Sequence, residues 1–188
     1  LIFAEGDLEV ISGGNFHGQY IALCSDSVAI ACHELASISE RRINQILDPQ
    51  WGGHSPFLAV KEGLESGLMI IQYSSAAIIS ELHLMAGPAT TSNVPVSMGK
   101  EDHASMGATG SYRTMNCTRL LSSVIANELI CACQALENIS EKPGLGVSKI
   151  RSWVRGRVLP LEGDRQLSDD TRNLSNAILE GGLTGIFE

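Results

Sequence analysis

Two short stretches of the chain bring together side chains that could bind a small molecule. The first, SGGNFHGQ at residues 12–19, presents Asn15, Phe16 and His17 directly after two glycines. Glycine allows a sharp turn and a close approach of the backbone to a ligand. The plainer interpretation is a turn in which Asn15 caps the following helix. The residue types by themselves leave both interpretations open.

The second stretch, KEDH at residues 100–103, places two carboxylates beside an imidazole at the predicted start of another helix. Acidic residues stabilise a helix start through the helix dipole, and Asp102 is the predicted N-cap. A carboxylate combined with an aromatic ring can also hold a flat substrate ring that is cationic or donates hydrogen bonds. A cap does not need two acids and an imidazole, so substrate binding is the alternative interpretation.

Three long apolar segments must position these stretches. Apolar residues recur every three or four positions over 16–47 and 102–138, which predicts long helices, and residues 68–85 are apolar almost all round. Shorter helices are predicted over 148–158 and over 168–179, the latter with Ser168 as its N-cap. The stripe predicted to be buried on the first helix is Ile21, Cys24, Val28, Ala31, Leu35 and Ile38.

The fold class expected from these segments is all-α, a bundle of long, roughly parallel or antiparallel helices. Residues 1–143 are expected to form the long-helix core, with the short helices of 144–188 packed on it in one continuous domain. A helix that is apolar all round needs neighbours on every side, and this chain has too few helices to supply them. We therefore expect an oligomer. A helical oligomerisation module without catalysis is the structural alternative.

Composition restricts the possible partners. The net charge of −8 disfavours nucleic acid and anionic membrane surfaces. Segment 68–85 approaches the length of a membrane span, but Gln72, Glu81 and His83 interrupt it, which favours a buried bundle helix. Five cysteines without a CxxC pair predict buried free thiols in the reducing cytoplasm, and the absence of HxxxH and CxxC patterns predicts no metal site.

Three stretches taken together resemble the histidine and phenylalanine ammonia-lyase family. They are SGGNFHGQ at 12–19, QYSSAAIISE at 72–81, and PATTSNVP followed by EDHASMG between 88 and 107. Their order and spacing agree with the family, and the resemblance is weakest after residue 144. It implies a homotetramer of long helices whose active sites are each shared by several subunits. It also implies elimination of ammonia from an amino acid.

The resemblance implies a self-formed cofactor as well. Members use an electrophile, 4-methylidene-imidazol-5-one, that forms by cyclisation of an internal Ala-Ser-Gly and makes the substrate amine a better leaving group. No Ala-Ser-Gly occurs in these 188 residues, which open on the apolar Leu1. We therefore expect the chain to be the C-terminal part of a longer enzyme, inactive by itself, with the electrophile encoded in the preceding part.

The substrate is expected to be L-histidine, with urocanate and ammonia as products. Histidine-type members are similar to this chain in carrying Glu-Asp-His after the loop, whereas phenylalanine and tyrosine types carry an amide at the position of Glu101. A carboxylate suits the N–H groups of imidazole and would be costly to bury against a phenyl ring. Lys100 departs from the uncharged residue usual in the family. A phenylalanine or tyrosine ammonia-lyase or aminomutase is therefore the alternative.

The resemblance also assigns the site residues. Phe16 is expected to line the substrate pocket near the electrophile, and Glu101 is expected to bind the imidazole of the substrate. These two carry the catalytic assignment. Asn15, His17 and Gln72 are expected to surround them in the substrate-binding site.

Overall fold

The computed structural model describes residues 2–3, 9–10 and 17–186. The fold is all-α, as expected, apart from two short antiparallel strands, β1 (Ile2–Phe3) and β2 (Glu9–Val10). The α-helices of the described ranges are α1 (Gln19–Leu47), α2 (Pro49–Gly52), α3 (Met69–Met85), α4 (Gly107–Leu136), α5 (Leu145–Arg155) and α6 (Ser168–Leu179). Short 3₁₀ turns lie at Pro56–Leu58, Ala89–Thr91 and Ser97–Gly99.

The helices α1 and α4 run side by side in the same direction. Ser25 contacts Ser111 and Thr114, and further along both helices Ser39 donates a hydrogen bond to Glu128 at 2.6 Å. From Ser25 to Ser39, the two residues in each contact are 86 to 89 positions apart in the sequence. A constant difference means that both helices advance together. The residues that precede α1 and α4 therefore lie at the same end of the bundle.

Helix α3 runs in the opposite direction. Near its start, Gln72 donates to Asn44 at 2.7 Å, close to the end of α1. Near its end, the ring of His83 lies 5.6 Å from that of His33, at the middle of α1 and 11 residues before Asn44. The chain thus passes up through α1, down through α3 and up again through α4.

The buried face of α1 differs from the stripe predicted from sequence, and that prediction was wrong for this chain. All six residues of the predicted stripe are exposed. The buried face is built largely from small side chains: Ala22, Ser25, Asp26, Ala29, Cys32, Ala36, Ser39, Glu40, Ile43 and Leu47. Small residues let α1 approach α4 closely, and a Cβ added at Gly110 of α4 would lie only 3.2 Å from the Cβ of Ser25. Helix α1 therefore has a face of mostly small residues, which α4 covers, and a separate outer face of large apolar residues.

The start of α4 also differs from the prediction. The helix begins at Gly107, with Met106 at the capping position, and not at Asp102. The main-chain carbonyls of the expected first turn accept hydrogen bonds from groups outside the helix, so they are not used in the helical pattern. Val96 donates to the carbonyl of Glu101 at 2.9 Å, and Asn93 donates to that of Ala104. The backbone of 101–106 is thereby kept extended and turned, and the helical ladder starts later.

The two C-terminal helices contact α4. Helix α5 lies three residues earlier than predicted, at Leu145–Arg155, while the predicted bounds of α6 are confirmed. The predicted capping role of Ser168 is wrong, because Leu167 holds that position and the Ser168 hydroxyl accepts a hydrogen bond from Gln166. Ser175 of α6 lies 2.7 Å from Ser122 of α4, oxygen to oxygen.

All five cysteines lie in the described ranges as free thiols, and four of them are buried as predicted. Burial raises the pKa of Cys32, Cys117, Cys131 and Cys133. Cys24 is exposed, because it lies on the outer face of α1. Helices α1 and α4 are long and apolar enough to cross a membrane by length and composition, a property that core helices of bundles share.

Candidate active site

The two sequence stretches with candidate chemistry meet at one end of the bundle. Residue His17 lies two positions before α1, and Glu101 lies six positions before α4. Because α1 and α4 are parallel, their N-terminal ends lie side by side. The segment 86–106, which links α3 to α4, crosses this end and carries Glu101. We call the surface formed by residues 17–19 and 101–107 the helix-start junction.

A contact between two histidines closes the junction. The Nε2 atom of His17 lies 2.5 Å from the main-chain oxygen of His103. A carbonyl oxygen can only accept a hydrogen bond, so the Nε2 atom of His17 is protonated and is the donor. The two imidazole rings are tilted, with centroids 5.0 Å apart. The start of α1 is thereby fixed to the backbone two residues beyond Glu101.

Glu101 is presented at the end of a tight turn. Its main chain pairs with Val96 in a single antiparallel β-bridge, with the Val96 N–H to Glu101 carbonyl distance at 2.9 Å. Between them, Ser97, Met98 and Gly99 all have positive φ, of 53°, 55° and 81°. Such values are unfavourable for the two residues that carry a side chain. The turn leaves the Glu101 side chain exposed, where it can accept hydrogen bonds from a ligand.

Close backbone packing completes the junction. Gly18 has a φ of 72°, and a Cβ there would lie 3.0 Å from the Ser105 hydroxyl. A Cβ at Gly107 would lie 3.0 Å from the main-chain oxygen of Gly18. The side-chain oxygen of Gln19 accepts a long hydrogen bond, 3.5 Å, from the N–H of Met106. A side chain at Gly107 would press on the main chain at Gly18, and a side chain at Gly18 would strain its backbone and displace the Ser105 hydroxyl.

A buried ion pair holds the other end of the 86–106 segment. The carboxylate of Asp26 on α1 accepts hydrogen bonds from the N–H groups of Ala89 and Thr90 at 2.9 and 3.0 Å, and from Arg113 on α4. Burial alone would raise the pKa of Asp26. The hydrogen bonds from Thr90, Ala89 and Arg113 outweigh it and lower the pKa below its ordinary value. The carboxylate therefore stays ionised inside the protein.

The predicted site residues are only partly brought together. His17 and Glu101 share the helix-start junction, whereas Asn15 and Phe16 lie outside the described residues. Gln72 pairs with Asn44, which lies 25 residues beyond Gln19 along α1, a span of about 40 Å at 1.5 Å per residue. Gln72 therefore lies at the far end of the bundle from Glu101. Within one copy of the chain it takes no part in the junction.

Sequence reasoning missed Asp26, Arg113 and Asn93, which hold the segment that carries Glu101. A signal for Asp26 did exist, since it is an acid in a helix face of small residues, where an unpaired charge would be costly. Its partners Ala89 and Arg113 are 63 and 87 residues away. Nothing local in the sequence identifies contacts of that range.

A second concave surface lies away from the junction. A groove of about 960 Å³ runs between α3 and α6 with α4 as its floor, and its walls include Ile70, Ile78, Arg119 and Leu179. His17 and Glu101 are not among its lining residues. Within the described ranges, no group of three or more histidine, cysteine or acidic side chains is placed to hold a metal ion. The chemistry open to the junction is recognition of a ligand by the exposed Glu101 carboxylate, with His17 and His103 in the same junction.

Comparison with known proteins agrees with this fold and these motifs. The histidine ammonia-lyase of Symbiobacterium thermophilum is 42% identical over 189 aligned residues, which take in 100% of this chain and 37% of that enzyme. The solved structure of histidine ammonia-lyase from Trypanosoma cruzi superposes with a TM-score of 0.90 at 34% identity, over 98% of this chain and 37% of that one.

A relative with a different named activity is equally similar in fold. The tyrosine aminomutase of Streptomyces globisporus has a TM-score of 0.90 at 32% identity, over 98% of this chain and 35% of that one. The chain thus spans little more than a third of the length of these relatives. The sequence model of the aromatic amino acid lyases matches residues 1–156. This match covers most of the chain, and the chain belongs to the aromatic amino acid lyase family.

Proposed function

We propose that the protein containing this chain is a histidine ammonia-lyase, which eliminates ammonia from L-histidine to give urocanate. The observation that carries the proposal is the exposed carboxylate of Glu101, held on an anchored turn at the helix-start junction. A relative named histidine ammonia-lyase, 42% identical over the whole chain, supports it. The chain would supply the C-terminal part of the enzyme and one side of the substrate pocket.

Glu101 would select the substrate by its side chain. An imidazole ring offers N–H groups, and a carboxylate is an acceptor with two oxygens. Phe16 directly precedes His17 in the chain and would supply an apolar surface for the ring, and Asn15 would lie beside it. His17 donates a hydrogen bond to the main-chain oxygen of His103 and so fixes the backbone two residues after Glu101.

The electrophile would come from residues outside this chain. The 4-methylidene-imidazol-5-one group would make the amino group of histidine a better leaving group. The 188 residues contain no Ala-Ser-Gly from which it could form, so they do not provide it. The described residues would supply Glu101, an acid on a fixed turn, to bind the imidazole ring. The electrophile would act on the amino group of the same substrate.

We also propose a homotetramer in the cytoplasm. The outer face of α1 exposes seven large apolar side chains, each 45 to 62% accessible: Tyr20, Ile21, Leu23, Val28, Ile30, Leu35 and Ile38. An apolar face of this extent is typical of a surface that another helix covers. Gln72, about 40 Å from the junction, would join a substrate site only across copies. The five free thiols support a reducing compartment.

The test compares substrates with the full-length protein. We expect kcat/KM for L-histidine, followed by the absorbance of urocanate, to exceed that for L-tyrosine and L-phenylalanine by at least about a hundredfold. Products from tyrosine are examined for the β-amino acid as well as the unsaturated acid. Preference for tyrosine or phenylalanine, or a β-amino acid product, would assign the enzyme to the aminomutases or the other lyases.

A further inference from the structure

We propose that Asp26 is a positioning residue, whose buried carboxylate fixes the 86–106 segment and thereby the place of Glu101. The kinetic part of this inference rests on the proposed function. The structural part concerns the order of the segment and stands independently of the reaction.

The contacts of Asp26 are unusually complete for a side chain on a helix. Its Oδ1 accepts from the N–H of Ala89 at 2.9 Å and from Arg113, and its Oδ2 accepts from the N–H and the hydroxyl of Thr90 at 3.0 and 2.7 Å. The side chain is 7% accessible. Arg113 also donates to the main-chain oxygen of Gly87. Helices α1 and α4 thus hold residues 87–90 through four hydrogen bonds, three to Asp26 and one from Arg113.

Arg113 depends on this arrangement. Its side chain is 16% accessible, and in the described part of the chain its Nε is buried without a hydrogen-bond partner. Removing the charge of Asp26 leaves a largely buried guanidinium that has only neutral acceptors, such as the Gly87 carbonyl, around it. Breaking a buried pair from one side is far costlier than losing an exposed pair. The stretch 87–90 is therefore expected to shift or become mobile when Asp26 is replaced.

The anchor reaches Glu101 through a short chain of contacts. The segment 86–106 contains only two 3₁₀ turns and one bridge, so fixed contacts to α1 and α4 must define its course. Three residues beyond Thr90, Asn93 donates to the carbonyl of Ala104 and ties the first half of the segment to the second. Val96 then pairs with Glu101. Displacement of residues 87–90 is therefore expected to displace Asn93 and Val96, whose contacts with Ala104 and Glu101 fix the position of Glu101.

A matched control is available at the opposite end of the bundle. Asp164 also accepts two main-chain N–H groups, from Ser66 and Gly67, both at 2.8 Å. These lie just before α3, whose start is next to the end of α1. Asp26→Asn and Asp164→Asn thus each weaken a pair of hydrogen bonds from main-chain N–H groups, the first to a buried carboxylate and the second to an exposed one. Thr90→Val is a milder variant, because it removes only the hydroxyl bond to Asp26.

The experiment is made on the full-length protein and has two readouts. The first is amide hydrogen exchange of residues 92–104. We expect Asp26→Asn to raise it by about tenfold or more and Asp164→Asn to leave it unchanged. The second is kcat/KM for histidine in a double-mutant cycle with Glu101→Gln. If Asp26 acts through Glu101, the two decreases in kcat/KM do not multiply. In the Glu101→Gln background, Asp26→Asn then lowers kcat/KM by less than about a further twofold.

Unchanged exchange over 92–104 in Asp26→Asn would overturn the inference, and so would losses that multiply in the cycle. If Asp26→Asn does not fold, Thr90→Val decides with the same exchange measurement, where a rise confined to the segment supports the inference and no rise overturns it. If the wild-type protein does not act on histidine, the proposed function fails, while the exchange result still decides the role of Asp26.

Discussion

His17, just before α1, donates a hydrogen bond from its Nε2 to the main-chain oxygen of His103, just before α4, at 2.5 Å. The bond is possible because α1 and α4 are parallel, so that their starts meet although 86 residues separate the two histidines. It connects the stretch that carries Phe16 with the stretch that carries Glu101. The place of Glu101 relative to the start of α1 thus depends on the packing of two helices.

Removal of the His17 donor should weaken substrate binding. In the full-length protein, His17→Ala should lower kcat/KM for histidine by about three- to tenfold, because the bond that holds residue 103 contributes roughly 0.5–1.5 kcal/mol. His17→Gln keeps an N–H donor and should restore most of the loss. His33→Ala, which removes an imidazole that packs against α3, serves as the control and should stay within about twofold of wild type. Equal losses in the alanine and glutamine variants would contradict a role through the hydrogen bond.

Acid should remove the contribution of Asp26 to stability. Its pKa is lowered in the folded protein, since hydrogen bonds to the carboxylate outweigh the effect of burial. A lowered pKa gives stability that is present above the unfolded value, about 4, and is lost as the pH falls through the folded value. The difference in free energy of unfolding between wild type and Asp26→Asn should be constant from about pH 8 to 5 and narrow below about pH 4. Urea unfolding at each pH measures this difference in free energy of unfolding. A difference that grows as the pH falls below about 4 would contradict the account.

The close approach of α1 and α4 should not tolerate added volume. A side chain at Gly110 meets Ser25 and Ala22 at 3.2 and 3.6 Å from its first carbon. Gly110→Val should therefore destabilise the protein by about 1–3 kcal/mol, in spite of the low helix propensity of glycine. Ala108→Val, on the exposed side of the same turn, is the control and should cost less than about 1 kcal/mol. Thermal unfolding compares the two, and equal effects would mean that the helices are not packed through this face.

Cys24 should report whether the outer face of α1 is covered in the assembly. It lies exposed on that face in the single chain, while the other four thiols are buried in the chain itself. If copies pack through this face, Cys24 should react with a maleimide at least about tenfold more slowly in the native oligomer than in the urea-unfolded protein. Peptide mass spectrometry locates the label. Rapid labelling of Cys24 in an intact tetramer would place the subunit contacts elsewhere.

The existence of the long helices and several of their ends could be predicted, because these follow from local features, whereas the start of α4 and the bounds of α5 were shifted. The bounds of α6 were predicted correctly and those of α3 to within one residue, and Asp48-Pro49 ended α1 as expected. The buried face of α1 was predicted wrongly, because a search for large apolar residues found the outer stripe. Alanines at 22, 29 and 36, at intervals of seven, were the better indication of close helix packing.

The candidate site could be predicted only in part for a different reason. The types and spacing in 12–19 and 100–103 pointed to His17 and Glu101, and the structure brings both to one end of the bundle. The anchors Asp26, Asn93 and Arg113 act through contacts with residues far away in sequence or with main-chain groups. Asp102 was a plausible cap by composition. Contacts that divert the carbonyls of 101–104 prevented the helix from starting there.

The substrate assignment depends on Glu101, and its conversion to an amide in the full-length protein is the most direct test. A carboxylate that accepts a hydrogen bond from the imidazole should contribute roughly 1.5–3 kcal/mol, so Glu101→Gln should lower kcat/KM for histidine by at least about tenfold. Glu101→Ala should lower it further, because the imidazole N–H is then unpaired.

Asp102→Asn, which changes the neighbouring exposed acid, is the control, and its kcat/KM for histidine should stay within about threefold of wild type. Activity on phenylalanine should be unchanged or improved in Glu101→Gln. Unchanged histidine turnover, in an enzyme that already prefers phenylalanine, would contradict the account and leave Glu101 as a surface acid on a turn.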